Sequence, residues 1–225
     1  ATEAFRVASN SEEIFSEIRE KFGINFHIID GQAEAKLTFL GVQNALRKLG
    51  INDKFSIIDI GGASSEIGED EKFISFKFGI ITFYERFKML DLMQENAKIY
   101  TKEAREFLTN LDNRLIVLTS GVPTTIAALK LGLNYESYDP KKVSGYELKN
   151  GDLAWFVNEL LKMDDKSADV AVGRSRKYPL IAGTLLLKEL LNGQEAKFIV
   201  IDDGLREGVG AAYLKGIFQE IITKF

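Results

Sequence analysis

The sequence predicts an α/β fold, in which helices flank and cover a β-sheet. Short runs of β-branched and aromatic residues alternate with longer segments whose apolar residues recur every three or four positions, as strands followed by helices do. Many of the 19 glycines stand at the ends of these segments, where turns are expected. The chain has 225 residues, which is enough to bury a core of considerable size.

The first part of the chain predicts two helices with a short strand between them. Ser11–Phe22 has apolar residues at helical spacing and begins at a capping serine. Ile24–Ile29 is predicted to be a strand. Asp30 then precedes a helix that continues to about Leu49, and Gly50 ends it.

A meander of three strands follows, with two helices after it. The strands are Phe55–Ile60, Ser65–Gly68 and Lys72–Phe78, and tight turns separate them. Thr82–Gln94 and Lys102–Leu111 have the apolar spacing of helices.

The second half of the chain predicts two further strands, each followed by helices. Leu115–Leu118 is strongly apolar and leads into a helix with Pro123 at its first position. Tyr138–Leu148 has the composition of a loop. The remaining predicted elements are helices over Gly151–Met163, Lys166–Ser175 and Pro179–Asn192, a strand over Lys197–Ile201, and a helix from Leu205 onward.

The composition excludes several classes of protein. The absence of cysteine removes disulfides, thiolate nucleophiles and cysteine-ligated metals, and the single histidine argues against a Ser-His-Asp triad. The net charge of −4 argues against a nonspecific nucleic-acid binder. The longest uncharged run, Leu115–Leu129, is too short and too polar to span a bilayer, and the N-terminus does not resemble a signal peptide. We therefore predict a cytoplasmic protein that binds neither nucleic acid nor membrane.

Three predicted strands end in the same pattern, an apolar run followed by a glycine-containing loop and then by a turn or helix. The three segments are Ile57–Glu66, Val117–Thr125 and Ile199–Gly208. In an open sheet, ligands bind at the carboxyl ends of strands, where glycine lets backbone N–H groups approach a phosphate oxygen. Any one of these glycines could simply make a tight turn, but the three together predict a phosphate-binding site.

Asp59 and Glu66 flank the first of these loops. A carboxylate at the end of an apolar strand is poorly solvated unless it faces a cation or a group of donors. Glu66 could return to the same end of the sheet, or it could be a solvated turn residue. Two carboxylates beside a phosphate would repel it unless a divalent cation lay between them, and Mg²⁺ is the natural candidate.

Glu34 lies in the first turn of the helix that Asp30 caps. A capping box would place Glu or Gln at position 33, which is alanine, so the box does not account for Glu34. Two interpretations stay open at this point. Glu34 could interact favourably with the helix dipole, or it could be a carboxylate that accepts a proton from water.

Together these segments resemble one known family, the exopolyphosphatase/guanosine pentaphosphate phosphatase family of the actin/hexokinase/sugar-kinase superfamily. The sequence D-I-G-G-A-S-S-E at Asp59–Glu66 resembles the family's D-I-G-G-G-S-x-E. Further matches occur in order along nearly the whole chain, from Ala1 to about Leu214. They are Ala1–Asn10, Asp30–Leu37 with Gly41-Val42, Ser120–Leu129, Gly173-Arg174 with Ala182-Gly183, and Asp203–Gly208.

The resemblance implies the actin-like ATPase fold, a ribonuclease H-like domain with a mixed sheet flanked by helices. It implies that residues 1–50 are the remainder of domain I, that residues 51–210 form domain II with the second phosphate loop, and that residues 211–225 form a C-terminal helix that can return to domain I. The family begins with a strand and a D-x-G-S-N-S loop that have no counterpart here. We therefore expect this chain to be a fragment that hydrolyses little substrate by itself.

The resemblance also assigns roles to individual residues. It implies that Glu34 is the catalytic base and that Asp59 and Glu66 are associated with a metal. The residues that it assigns to phosphate binding, together with the glycine of the second strand-end loop, are Gly61, Gly62, Ser64, Ser65, Gly121 and Arg6. Two positions depart from the family pattern, because Ala33 replaces the first glutamate of E-E-A and Ala63 replaces the third glycine of the phosphate loop. Ala63 adds a Cβ where the backbone is expected to approach phosphate.

The implied function is hydrolysis of phosphoanhydride bonds, with release of terminal phosphate from inorganic polyphosphate, guanosine pentaphosphate or both. Mg²⁺ is the implied cofactor, and a homodimer is one assembly that we consider. Two other functions stay open: a phosphotransferase of the same superfamily, and a module that senses a guanosine polyphosphate without hydrolysing it. Phosphate release without an acceptor would argue against the first, and binding without release would favour the second.

Overall fold

The computed structural model of the chain describes residues 1–111 and 114–224, with side chains through residue 222. Its strands form one six-stranded sheet with the order β3-β2-β1-β4-β6-β5. The strands are β1 Ser56–Ile60, β2 Ser65–Glu69, β3 Lys72–Phe76, β4 Leu115–Thr119, β5 Glu147–Leu148 and β6 Lys197–Val200.

Helices connect the strands and flank the sheet. Those before β1 are α1 Glu3–Val7, α2 Ser11–Phe22 and α3 Gly31–Lys48. Those between β3 and β4 are α4 Ile80–Phe87, α5 Leu90–Tyr100 and α6 Lys102–Thr109. Those after β4 are α7 Gly121–Lys130, α8 Pro140–Val143, α9 Asn150–Lys162, α10 Asp165–Val172, α11 Lys177–Leu191, α12 Leu205–Leu214 and α13 Phe218–Lys224.

The sheet is mixed. The strands β1, β4 and β6 run parallel, whereas β2, β3 and β5 pair antiparallel with their neighbours. Parallel strands need crossover connections, and the helices α4–α6 and α7–α11 lie in those connections. The mixed sheet flanked by helices that the resemblance implied is therefore confirmed.

Both faces of the sheet are buried, which explains why its central strands are apolar almost throughout. Successive side chains of a strand point to opposite faces. In β4, Ile116 and Leu118 belong to the larger core, while Leu115 and Val117 belong to a second core that α3 covers. The strand β1 alternates in the same way, so Asp59 lies on the face that α3 covers.

The helices α3 and α12 cross at glycines, where their backbones touch. A Cβ on Gly208 of α12 would lie 1.7 Å from the carbonyl oxygen of Leu37, and a Cβ on Gly41 of α3 would lie 2.2 Å from that of Gly204. The helix α13 adds Ile221 to the apolar cluster that contains Leu37. This crossing holds α3 close to its neighbours and fixes its position over the sheet.

The strand predicted over Ile24–Ile29 is wrong. These residues have no strand partner among the described residues, and their backbone groups form hydrogen bonds with residue 1 and with the side chain of Arg6. The N–H group of Ile29 donates to the carbonyl oxygen of Ala1 at 3.0 Å, and the N-terminal ammonium donates to that of His27 at 2.8 Å. An extended segment becomes a strand only when a neighbour supplies the ladder of hydrogen bonds.

Three further predictions of local structure are corrected. The helix predicted over Thr82–Gln94 is divided into α4 and α5 at Lys88, whose φ of 53° interrupts helical hydrogen bonding. The loop predicted over Tyr138–Leu148 contains α8 and β5. The helix predicted from Leu205 onward is interrupted after α12, because Gly216 has a φ of 71°, and α13 follows.

The predicted domain boundary at residue 50 falls in the turn between α3 and β1, while α3 itself packs on the sheet. The division into residues 1–50, 51–210 and 211–225 stays a prediction. Residue 225 lies outside the described residues. In the part of the chain that the structure describes, no helix is both long enough and apolar enough to cross a membrane.

Gly208→Ala is expected to destabilise the protein by ~2–4 kcal/mol, because the added methyl group must displace a backbone carbonyl of α3. The matched control is Gly210→Ala in the same helix, where an added Cβ meets open space. Alanine is the better helix former, so the control should be more stable than the wild type by ~1 kcal/mol or less. Thermal and urea unfolding measure both variants, and equal stabilities would contradict the close crossing of α3 and α12.

Candidate active site

The carboxyl ends of β1, β4 and β6 meet at one edge of the sheet, because the three strands are parallel. Hydrogen bonds join these ends. Ser120 Oγ donates to the carbonyl oxygen of Ile60 at 3.0 Å, and Thr119 Oγ1 donates to that of Asp203 at 3.1 Å. The helix α7 then begins at Gly121, two residues before the start predicted at Pro123. The three loops singled out in the sequence therefore lie side by side.

In the loop after β1, carbonyl groups form hydrogen bonds with the start of α4, while two N–H groups have no hydrogen-bond partner among the described residues. The carbonyl oxygens of Gly61 and Gly62 accept hydrogen bonds of 2.9–3.2 Å from the N–H groups of residues 80–82, at the start of α4. Among the described residues, no acceptor meets the N–H groups of Gly62 and Ala63. These two donors are available to a phosphate oxygen. The φ of Ala63 lies outside the left-handed region, so its methyl group does not strain the turn.

The two serines of this loop are buried and direct their hydroxyls into the protein. Ser64 Oγ donates to Glu66 Oε1 at 2.8 Å, and Ser65 Oγ donates to the carbonyl oxygen of Phe78 at 2.7 Å. In this arrangement the hydroxyls hold the loop and the neighbouring carboxylate. Direct contact of Ser64 and Ser65 with phosphate stays a prediction.

Asp59 and Glu66 face each other across β1 and β2. They are directly paired in the antiparallel register, and such pairs have their Cβ atoms ~5 Å apart on one face of the sheet. Glu66 is buried, and its Oε1 accepts hydrogen bonds from the hydroxyls of Ser64 and Ser75, each at 2.8 Å. Burial raises the pKa of Glu66 to about 8, and the negative charges of Glu34 and Asp59 add to this. Burial also raises the pKa of Asp59 to about 6, with a contribution from Glu34.

Glu34 joins these two acids in one electrostatic cluster. It lies in the first turn of α3, whose N-cap residue Asp30 accepts a hydrogen bond from the N–H group of Ala33 at 2.8 Å. Burial raises the pKa of Glu34, although its ion pair with Arg6 acts in the opposite direction. The first turn of α3 thus presents a partly buried carboxylate to the same side of the sheet as Asp59.

Arg6 is held within the protein rather than left free. Its Nε donates to Glu3 at 2.7 Å, its Nη2 donates to Glu34 Oε2 at 3.1 Å, and its Nη1 donates to the carbonyl oxygen of Ile29. Glu3 in turn forms an ion pair with Lys77 at 2.8 Å. The structure therefore places Arg6 beside Glu34, where it orients the carboxylate, and its predicted contact with phosphate stays a prediction.

Asp59 and Glu66 are the residues that could hold a divalent cation. Two carboxylates opposite each other on a sheet repel one another unless a proton or a cation neutralises them. Carboxylate oxygens suit Mg²⁺, which commonly binds through one or two carboxylates and completes its coordination with water and phosphate. Within residues 1–111 and 114–224, no group of three or more His, Cys, Asp or Glu side chains is arranged for a metal. Asp59 and Glu66 offer the type of oxygen ligand that Mg²⁺ binds, and a Mg²⁺ ion held by these two residues stays a prediction.

A cavity of about 850 Å³ opens beside Asp59, and Gly121 also lines it. We call it the strand-end cavity. Its wall includes Tyr135, whose ring centre lies 5.9 Å from the guanidinium carbon of Arg176. Tyr138 also lines it and donates a hydrogen bond from its hydroxyl to Asp202. Aromatic, cationic and acidic groups thus surround a space large enough for a small organic molecule.

Sequence reasoning missed Ser75 and Tyr138 as parts of this site, and it included Asp202 only as a member of the strand-end segment Ile199–Gly208. Ser75 lies in β3 with no glycine or acid beside it, and only the register of the sheet brings it to Glu66. Tyr138 belongs to the segment predicted to be a loop. Asp202 directly follows a strand that, like two others, ends in a glycine-containing loop. That position is the sequence feature that could have identified Asp202 as part of the site.

Known proteins share this architecture over most of the chain. A model of the Ppx/GppA phosphatase family matches residues 1–215. The crystal structure of the Aquifex aeolicus member of the Ppx/GppA family superimposes with a TM-score of 0.77 at 27% identity, over 96% of this chain and 73% of that one.

Two curated relatives extend the comparison. The chain is 28% identical to a bifunctional 3-dehydroquinate synthase/phosphatase of Fusobacterium nucleatum, over 96% of this chain and 34% of the relative. It is 26% identical to a guanosine-5'-triphosphate,3'-diphosphate pyrophosphatase of Pseudoalteromonas translucida, over 100% of this chain and 46% of the relative. The chain thus spans less than half the length of either relative. With the family match over nearly all of its residues and the shared fold, the chain belongs to the Ppx/GppA phosphatase family.

Proposed function

We propose that the protein hydrolyses phosphoanhydride bonds and releases terminal phosphate. The observation that carries the proposal is the cluster of Glu34, Asp59 and Glu66 beside the loop at residues 61–64. The loop offers N–H groups to phosphoryl oxygens, while the carboxylates offer ligands for a cation and a base for water. Membership of a phosphatase family supports the proposal.

We propose Mg²⁺ as the cofactor, with Asp59 and Glu66 as its protein ligands. When bound, the cation supplies positive charge that stabilises the negative phosphoryl oxygens. A positive charge at this place would also counteract the raised pKa values of both acids, so that they would be ionised near neutral pH. The hydroxyls of Ser64 and Ser75 hold Glu66 in place for this role.

Glu34 is proposed to take the proton from the attacking water. Burial raises its pKa, which makes the ionised carboxylate a stronger base than an exposed glutamate. Arg6 holds Oε2 of Glu34 at 3.1 Å and so restricts the orientation of the carboxylate. A carboxylate that takes a proton from water would favour hydrolysis over transfer of phosphate to another acceptor.

The strand-end cavity favours a guanosine polyphosphate as the substrate. Tyr135, with Arg176 beside it, presents an aromatic surface on which a base can stack. Asp202 and Glu207 add carboxylates to the wall, and carboxylates suit the N–H donors of guanine better than the oxygens of a polyphosphate chain. Inorganic polyphosphate is the other substrate expected from the sequence, and it is the control substrate for the variant Tyr135→Ala.

The alternatives are separated by simple assays. A phosphotransferase would release little phosphate without an acceptor, and a sensor would bind a guanosine polyphosphate without releasing phosphate at all.

The cytoplasmic location and the homodimer stay predictions.

Glu34→Gln in the native protein is expected to lower kcat by about 10²–10⁴-fold, because the amide cannot accept the proton of water. Substrate affinity should change little, because the loop at residues 61–64 is untouched. Steady-state phosphate release and equilibrium binding measure the two effects. Glu13→Gln, an exposed glutamate in the first turn of α2, is the matched control. Turnover like that of the wild type would remove Glu34 from the mechanism.

Glu66→Gln is expected to make the protein more stable than the wild type at pH 8 when divalent cations are absent. The ordinary pKa of glutamate is 4.5, and that of Glu66 in the folded protein is about 8, so the folded state retains a proton that the unfolded chain releases. The free energy of unfolding therefore falls as the pH rises from about 4.5 to about 8. Glutamine removes this contribution, and thermal unfolding at pH 5 and pH 8 in a chelator measures the difference.

Mg²⁺ provides the second half of this test. The wild type should regain stability at pH 8 when Mg²⁺ is added, whereas Glu66→Gln should gain less. Glu95→Gln, an exposed position in α5, controls for the loss of one negative charge. Identical pH profiles of the wild type and Glu66→Gln would show that Glu66 is not the buried titrating group.

Tyr135→Ala is expected to raise KM for guanosine pentaphosphate by ~10-fold, since stacking on an aromatic side chain contributes ~1–3 kcal/mol per base. KM for inorganic polyphosphate should not change, because that substrate has no base. Tyr213→Ala, at a tyrosine on α12 that is 76% exposed, is the matched control. Unchanged kinetics with the nucleotide would exclude the strand-end cavity as the guanosine site.

A further inference from the structure

The first residue of α3 lies directly against a side chain of β3. A Cβ on Gly31 would lie 2.4 Å from Cβ of Ser75 and 2.6 Å from its Oγ. Carbon atoms in favourable contact are about 3.5–4 Å apart. No side chain therefore fits at position 31 unless the helix or the strand moves.

Ser75 belongs to a row of three polar side chains across the sheet. Asp59 of β1 pairs with Glu66 of β2, and Glu66 pairs with Ser75 of β3. Residues paired in this way point to the same face. Ser75 Oγ also donates a hydrogen bond of 2.8 Å to Glu66 Oε1. We call Asp59, Glu66 and Ser75 the polar row, and Gly31 contacts its outer end.

Glu34 lies three residues after Gly31, in the same first turn of α3. The helix α3 packs against β1, β2 and β3 on the face that carries the polar row, so Glu34 lies in the turn that stands over this row. The height of this turn above the sheet determines how far Glu34 lies from the two acids. The contact between Gly31 and Ser75 limits that height.

We propose that Gly31 and Ser75 are positioning residues that set the distance between Glu34 and the acids Asp59 and Glu66. The inference rests on the proposed function, in which Glu34 is the base and the two acids hold the cation. Gly31 lets the first turn of α3 approach Ser75, and the hydroxyl of Ser75 holds Glu66 relative to that turn. Catalysis tolerates little error in such distances, since a displacement of ~1 Å can lower a rate by ~10²-fold.

The test introduces Gly31→Ala into three backgrounds of the native protein: the wild type, Ser75→Ala and Ser75→Gly. In the wild type, Gly31→Ala should lower kcat by ~10–10²-fold with little change in KM, because the phosphate loop is untouched. The same loss should persist with Ser75→Ala, because alanine keeps the Cβ that collides. The loss of kcat should largely disappear in the Ser75→Gly background, because glycine has no Cβ to collide with the added methyl group. In each Ser75 background, the kcat of the double variant is compared with that of the Ser75 single variant.

Two further measurements separate positioning from general damage. Gly151→Ala, in the first turn of α9 with nothing within 4 Å of an added Cβ, controls for the change of glycine to alanine. Crystal structures of the wild type, Gly31→Ala and Gly31→Ala/Ser75→Gly measure the distance between the carboxylates of Glu34 and Glu66 without any assay. This distance should change in the single variant and return in the double variant.

An unchanged distance in Gly31→Ala would overturn the proposal, as would a loss of kcat that is equally large with Ser75→Gly. Should Gly31→Ala fail to fold, recovery of folding with Ser75→Gly supports the contact, and failure of both variants to fold overturns it. The two proposals fail in different ways. If the distances behave as expected while Glu34→Gln keeps full turnover, the positioning contact stands and the role of Glu34 as the base is wrong.

Discussion

The burial of three neighbouring carboxylates, Glu34, Asp59 and Glu66, is the constraint on which the rest of the site depends. The register of β1 and β2 places Asp59 and Glu66 opposite each other on a face that α3 covers, with Glu66 buried there and Asp59 beside the strand-end cavity. Burial raises the pKa of Glu66 to about 8, so this carboxyl group keeps its proton at neutral pH. A cation bound between the two acids would instead keep both of them ionised. The hydroxyls of Ser64 and Ser75 hold one of the two acids for either state.

Glycine makes the cover over this pair possible. The helix α3 touches α12 at Gly41 and Gly208, where backbone meets backbone, and it touches β3 at Gly31. A side chain at any of these positions would move the helix that carries Glu34. Glycine at these three positions thus allows the close approach of α3, the helix that carries the proposed base, to its neighbours.

The site divides its tasks among separate elements. In the proposed mechanism, the loop after β1 supplies N–H groups, the pair on β1 and β2 supplies carboxylates for a cation, and the first turn of α3 supplies the base, which Arg6 holds. The strand-end cavity is lined mainly by segments that follow β4 and β6, and it is the proposed site for the rest of the substrate. The two parts meet at Asp59 and at Gly121, which lines the cavity and is also a predicted phosphate-binding residue.

Local chemistry explains what the sequence alone determined. The mixed α/β architecture, the three glycine-containing strand ends, the cap at Asp30 and the family follow from apolar spacing, turn residues and motifs, all of which act within a few positions of the chain. Those same signals identified Glu34, Asp59 and Glu66 as candidates. Only the tertiary structure decided what depends on a neighbour distant in sequence. Ile24–Ile29 has strand composition but no strand partner among the described residues, and Ser75 becomes part of the site solely through its register with Glu66. Burial, hydrogen bonding and pKa are properties of an assembled environment, and that environment exists only after the strands have paired and α3 has packed over them.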